Sequence, residues 1–183
     1  MCYNVVDGYM VYPKNFVESA NMAEKINCCC IIGHRKINET EELKKKVYEN
    51  VERLIREEGV EIFLFGSGSR FDSMCLEIVT EIKEKYPQIK RVYVRAEFPY
   101  INDSYRAYLL KIYDNMYFPE KIKGGGRAAY VERNRDMIDN SRYCLIYYNE
   151  KYNPKTRKSG TKLAYDYAVK RQKEIINLFL EEG

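Results

Sequence analysis

The sequence predicts an α/β protein, a Rossmann-like three-layer sandwich around a mostly parallel central sheet. Three observations lead there. Five short stretches read as strands: Cys28 to Ile32, Val60 to Phe65, Lys90 to Val94, Tyr143 to Tyr148 and Glu174 to Leu180. They are apolar nearly throughout, as strands covered on both faces are. Helical periodicity fills the segments between them, and strands alternating with helices make parallel sheets. Glycine-bearing or charged turns recur at the carboxyl ends of the strands, where open α/β sheets bind ligands.

Residues 1–27 read as an extension ahead of the domain at 28–183. Val5-Val6 and Met10-Val11-Tyr12 flank Asp7-Gly8, a hairpin turn signal. The alternative is a segment lying on the core or on a neighbouring subunit. The first strand of the domain ends in Gly33-His34-Arg35. Asn38 followed by Glu41 resembles a capping box. Leu43, Val47, Val51, Leu54 and Ile55 then mark one helix face, and Gly59 stops it. Lys90 to Val94 leads into Arg95-Ala96-Glu97. An amphipathic helix follows an Asn102 or Asp103 cap, with Ile101, Tyr105, Tyr108, Leu109 and Ile112 on its face. A loop with Phe118-Pro119 and Gly124-Gly125-Gly126 precedes a helix over Arg127 to Asp139. Asn149 to Ser159 is a polar loop, and Ser159-Gly160-Thr161 opens the last helix.

The chain centres on Val60 to Ser73, VEIFLFGSGSRFDS. An apolar strand runs into Gly66, Ser67, Gly68 and Ser69, and Cys75, Ile78, Val79 and Ile82 then repeat at helical spacing. Strand, small-residue turn and helix N-terminus together expose backbone N–H groups to an anion. Arg70 offers a bidentate donor beside them. The plainer reading is a tight turn that needs glycine for its backbone angles. Asp72 is either an N-cap or a ligand for a ribose hydroxyl.

Composition narrows the classes. A net charge of +4 is too mild to indicate nucleic-acid binding. Between Lys151 and Lys173 stand eight Lys or Arg and one acid, Asp166, either a solvated basic face or an attractor of phosphorylated ligands. Eighteen Tyr and no Trp imply many half-buried rings. Three of the six cysteines are consecutive, Cys28 to Cys30, and would alternate faces in a strand. With no CxxC pair and one histidine, a zinc site is not expected. The thiols read as small buried hydrophobes in a reducing compartment. No signal peptide and no membrane-spanning run is evident, so a cytoplasmic protein without a membrane partner is expected.

Taken together, these turns resemble the SLOG superfamily, which includes the DNA-processing protein DprA and the "lonely guy" phosphoribohydrolases. The nearest resemblance is to its bacterial YpsA-like clade or a related uncharacterised one with a Gly-His-Arg turn, over roughly residues 28 to 180. In DprA-like members a Ser-Gly turn and Gly-Ile-Asp follow the second strand; here Gly66 to Asp72 stands there, with Phe71-Asp72 for Ile-Asp. The phosphoribohydrolases carry Arg-Lys-x-x-Met on a helix. This chain has Arg133-Asn134-Arg135-Asp136-Met137, so Arg133 matches and the Lys is Asn134. Their Pro-Gly-Gly-x-Gly-Thr-x-x-Glu turn matches only in Ser159-Gly160-Thr161, and its catalytic Glu falls at Ala164. An alanine neither takes a proton nor stabilises an oxocarbenium ion. Asp166 is rotated from that position by about 200°.

The resemblance therefore implies a binding protein, a bacterial or phage sensor or sponge for a nucleotide-derived signal, without turnover. A nucleotide 5′-monophosphate phosphoribohydrolase is the alternative, with Glu97 or Glu132 supplying the carboxylate. Expected ligand contacts are Gly33, His34, Arg35, Gly66, Ser67, Gly68, Ser69, Arg70, Asp72, Arg95, Glu97, Arg133, Asn134, Ser159, Gly160 and Thr161. No catalytic residue, metal or cofactor is expected. His34 alternatively serves as a hydrogen bonder beside a helix, and Arg35 and Arg95 alternatively pair with acids. DprA-type single-stranded DNA binding is disfavoured for want of a broad basic and aromatic surface. The tyrosine-rich segment Tyr100 to Phe118 predicts a homodimer or larger homo-oligomer.

Overall fold

The inner strands of the main sheet are buried on both faces, and the helices cover them in pairs. A computed structural model of the chain describes residues 4–6, 9–11, 27–66, 68–152 and 159–179, with backbone alone for 4–6, 9–11 and 152. Strands β1 (Asn4–Val6) and β2 (Tyr9–Val11) pair antiparallel with Val6 opposite Tyr9, and the turn signal Asp7-Gly8 lies outside the described residues. The domain then runs β3 (Cys28–Gly33), α1 (Glu41–Glu58), β4 (Ile62–Phe65), α2 (Arg70–Lys85), β5 (Lys90–Val94) and α3 (Asp103–Ile112). It continues through β6 (Asn115–Tyr117), α4 (Arg127–Asp139), β7 (Tyr143–Tyr147), α5 (Gly160–Lys170) and β8 (Glu174–Asn177). The strand order is β6-β5-β4-β3-β7-β8, and all five pairings are parallel. This is the predicted Rossmann-like sandwich.

Strand β3 shows how the two cores form. Cys29 and Ile31 point into a cluster with Leu43 and Val47 of α1 and Met74 and Ile78 of α2. Cys30 and Ile32 point the other way, to Met137 and Ile138 of α4 and Ala164 and Ala168 of α5. The consecutive cysteines thus alternate faces as strand geometry requires. Cys30 and Cys144 are register partners with sulfurs 3.3 Å apart, and the five described cysteines are buried free thiols.

Several element ends differ from expectation. Helix α1 is capped by Thr40, whose Oγ1 accepts the Leu43 N–H at 3.1 Å, so Asn38 is not the cap and Glu41 is already helical. Gly59 does end it, in the left-handed region at φ 67°. Asn102 caps α3. Strand β4 starts at Ile62, although Val60 is fully buried, because Glu61 and Ile62 both donate to the Asn27 carbonyl there. Strand β8 ends at Asn177 rather than Leu180. Strand β6 was not expected at all. Its three residues carry no apolar run; pairing with β5 defines it, and Asp114 anchors it by accepting the Arg91 N–H at 2.8 Å. Among the described residues no helix is long and apolar enough to cross a membrane.

Candidate functional site

The chain changes direction at β3. Strands β4, β5 and β6 build outward on one side, and β7 and β8 on the other, so a topological switch lies between β3 and β7. His34 closes it. The imidazole is 8% exposed, and its Nε2 accepts the Asn149 N–H at 3.0 Å, tying the residue after β3 to the loop after β7. Tyr147 and Tyr148 flank the ring at 6.3 and 5.9 Å. Burial lowers the pKa of His34, and only an unprotonated Nε2 can accept the Asn149 N–H, so the neutral ring is favoured. A Cβ at Gly33 would overlap the ring of Phe71, so this glycine admits the first turn of α2. Arg35 is exposed, and its carbonyl accepts the Arg70 N–H at 3.2 Å. The Gly33-His34-Arg35 turn thus makes joints within the fold.

The next strand end is built differently. Gly66 follows β4, and a Cβ there would lie 2.7 Å from Cδ and Nε of Arg133 and from Sδ of Met137. The bare glycine lets the Arg133 side chain cross the end of the strand. Arg133 is 1% exposed, the largest fully buried side chain among those described. Its Nε donates to Asn134 Oδ1 at 2.9 Å and its NH1 to the Val94 carbonyl, at the end of β5, at 3.4 Å. The Tyr130 ring lies 5.6 Å away. Among the described residues Arg133 makes no ion pair. Burial pulls its pKa down, and Asp72, Tyr93 and Glu97 act in the other direction by charge. Guanidinium still stays protonated. A buried cation without a contact counterion is suited to an anion from solution.

The turn itself is partly spent. Ser69 caps α2 by accepting the Asp72 N–H at 3.1 Å, and the Asp72 carboxylate accepts the Gly66 N–H at 3.3 Å. With the Arg70 N–H held by Arg35, three amides near the helix start already have partners, fewer free donors than the motif suggests. Gly68 has open space where a Cβ would stand, and Ser67 lies outside the described residues. The Arg70 guanidinium turns to Glu39 at 2.5 Å and Glu77 at 3.7 Å, so it is engaged elsewhere.

At the end of β5, Arg95 donates to the Phe98 and Pro99 carbonyls at 3.0 and 3.4 Å and lies over the Phe118 ring. It braces the loop into α3, and among the described residues its buried Nε has no hydrogen-bond partner. Glu97 is exposed, with one oxygen accepting the Ala96 N–H at 3.3 Å. Glu132 accepts the Lys123 and Gly124 N–H groups at 3.0 and 3.1 Å. On the far side, Ser159 caps α5 by accepting the Lys162 N–H at 3.0 Å, Gly160 is exposed and Thr161 is buried. Ala164 packs into the apolar cluster with Cys30 and Ile146. Among the described residues no three His, Cys, Asp or Glu are grouped to hold a metal ion.

Sequence reasoning passed over Tyr93. It stacks on Tyr113 at 5.0 Å, and Tyr113 lies 6.0 Å from Phe65. Burial pushes the Tyr93 phenol up to about 12, with Glu97 and Tyr105 adding and Arg133 opposing. Tyr93 and Glu97 therefore share the electrostatic surroundings of Arg133. The signal was present in the penultimate position of the β5 run, RVYV, one residue before the carbonyl that Arg133 grips.

The profile of the family described as the YspA SLOG family (YpsA) matches residues 30–182. The chain belongs to that family. The match begins within β3 and takes in the rest of the parallel sheet and both groups of turns just described. Curated proteins show no significant match. Among solved structures, this SLOG chain is similar to one described as showing the single-stranded DNA binding mode of DNA processing protein A from Helicobacter pylori. The TM-score is 0.55 at 17% identity, over 82% of this chain and 64% of that one. The likeness shows the shared fold, and the chain spans about two-thirds of that relative's length.

Proposed function

We propose that this SLOG chain binds a nucleotide or nucleotide-derived signalling molecule at the carboxyl edge of its sheet, without turnover. Arg133 carries the reading: a buried guanidinium across the ends of β4 and β5, making no ion pair among the described residues. A phosphate would supply the missing charge, and guanidinium grips phosphate in two places. The aromatic rings nearby are those of Tyr93, which stacks on Tyr113, and Tyr130, and the Asp72 and Glu97 carboxylates suit ribose hydroxyls. No carboxylate stands at position 164, where related hydrolases keep theirs, which favours retention over cleavage.

Calorimetry with a panel of nucleotide mono-, di- and cyclic phosphates, beside chromatography for released base, tests this. Binding without base release is expected, and Arg133→Ala should weaken it by roughly 1.5–3 kcal/mol, the scale of a charged hydrogen bond. Robust base release abolished by Arg133→Ala would establish the phosphoribohydrolase instead. A panel with no binding at all would remove the nucleotide reading.

Single-stranded DNA is the second reading. Phe98, Tyr100 and Tyr108 are exposed around α3, the kind of rings on which bases stack, and the similar DNA processing protein A is described by that ligand. Anisotropy with a labelled oligonucleotide belongs in the same experiment.

A further inference from the structure

Helix α3 is nearly bare. Leu109 is its one buried residue, and its exposed apolar surface includes Tyr105, Tyr108 and Leu110, continued by Phe98 and Tyr100 in the preceding loop. Tyr100 is 90% exposed and Phe98 67%. At about 100° per residue, the side opposite Leu109 is centred on Ala107 and flanked by Asp103, Ser104, Leu110 and Lys111. All five are exposed.

That outer stripe is self-complementary. When two copies of α3 lie antiparallel about a two-fold axis at Ala107, Asp103 of each meets Lys111 of the other. Ser104 then lies opposite Leu110, and the two Ala107 residues face one another. Small residues at the crossing let the helices approach closely. Among the described residues Asp103 and Lys111 make no ion pair, whereas α1 uses Lys44, Lys45 and Lys46 in pairs along its own surface. The charges at the two ends of α3 are opposite in sign: Asp103 in its first turn, Lys111 in its last. An isologous contact requires that arrangement. The Phe98–Tyr100 loop, ahead of the helix start, would reach the end of the partner's α3 and enlarge the buried area.

We propose that the chain forms a two-fold dimer by antiparallel pairing of α3 at Ala107. The partner is a second copy, and the interface lies beside the loop that Arg95 braces. The tyrosine-rich segment as a whole does not form the contact, because Tyr113 is turned inward against Tyr93 and Phe65. The proposal does not depend on the ligand.

Two measurements test it on the full chain. Ala107→Cys places two thiols on the axis, where facing Cα atoms lie roughly 4–6 Å apart, within disulfide range. Cys2, outside the described residues, is changed to Ser in this variant. Mild oxidation should yield a covalent dimer, whereas the same change at exposed Val169 on α5 should not. In sedimentation equilibrium, Asp103→Lys and Lys111→Asp should each raise the dimer dissociation constant about tenfold, and combining them should return it to within about threefold of wild type. A wild-type monomer at about 100 μM would overturn the pairing. So would a dimer in which Ala107→Cys fails to cross-link and the charge reversals have no effect. A monomer that loses oligonucleotide binding on Ala107→Glu would also overturn it and assign the face to single-stranded DNA.

Discussion

Gly33 and Gly66 end neighbouring strands, look alike in sequence, and do different work. Neither needs a left-handed backbone, since Gly59 and Gly126 are the positive-φ glycines among the described residues. Replacing either with alanine is therefore a steric question. At Gly33 the new Cβ overlaps Cβ and Cγ of Phe71, atoms close to the backbone of a fully buried residue. At Gly66 it meets the middle of the Arg133 side chain and the sulfur of Met137, both able to swing. Gly33→Ala should cost roughly 1–3 kcal/mol or more of stability, the range for overpacking. Gly66→Ala should cost only about 1 kcal/mol, yet displace Arg133 and weaken anion binding about tenfold or more. Urea melts and calorimetry on both variants check this; equal stability losses with intact binding would separate Gly66 from the site.

At the scale of elements, the joint between β3 and β7 predicts a pH dependence. His34 is the single histidine of the chain, and burial lowers its folded-state pKa below the ordinary value of about 6.5. In the window between the lowered value and 6.5 the unfolded chain binds the proton and the folded one does not. Stability is therefore fully present above that window and falls as the pH drops through it. Protonation also removes Nε2 as acceptor for the Asn149 N–H. His34→Gln keeps an acceptor that does not titrate, so its urea midpoint should change less between pH 8 and pH 5.5 than the wild type's. Parallel profiles would show that other groups set the acid sensitivity. The same joint shows what the sequence made legible. Strand identity was readable because burial on both faces leaves apolar runs, and most helices from their periodicity and caps. That His34 bonds across the switch was not readable, since its partner lies far along the chain and is a backbone amide. Strand β6 was hidden for a related reason: a three-residue edge strand is defined by its neighbour, not its composition. Arg133 was legible as a residue through its resemblance to the Arg-Lys-x-x-Met helix, but its burial over Gly66 belongs to the packing of α4 on the sheet.

At the scale of the whole molecule, salt separates the two proposed ligands, a small anion and a strand of nucleic acid. Its net charge is +4, with the positive excess concentrated between Lys151 and Lys173. In that tract Lys162 is paired to Asp166 at 2.9 Å and Arg171 to Asp139 at 2.7 Å, so part of the excess is already neutralised within the fold. A ligand seated on Arg133 is held by one buried cation, where screening reaches poorly. A bound single strand instead neutralises several exposed phosphates and releases counterions, with a slope of about −0.7 per phosphate in log K against log salt. Nucleotide affinity measured from about 50 to 200 mM salt should thus change with a slope shallower than about −1.5, the contribution of two phosphates at most. Arg133→Ala should remove the affinity at every salt concentration. A steep slope near −3 or beyond for an oligonucleotide, with affinity surviving Arg133→Ala, would place the ligand on the outer basic and aromatic surface. The buried arginine would then be a positioning residue for the ends of β4 and β5.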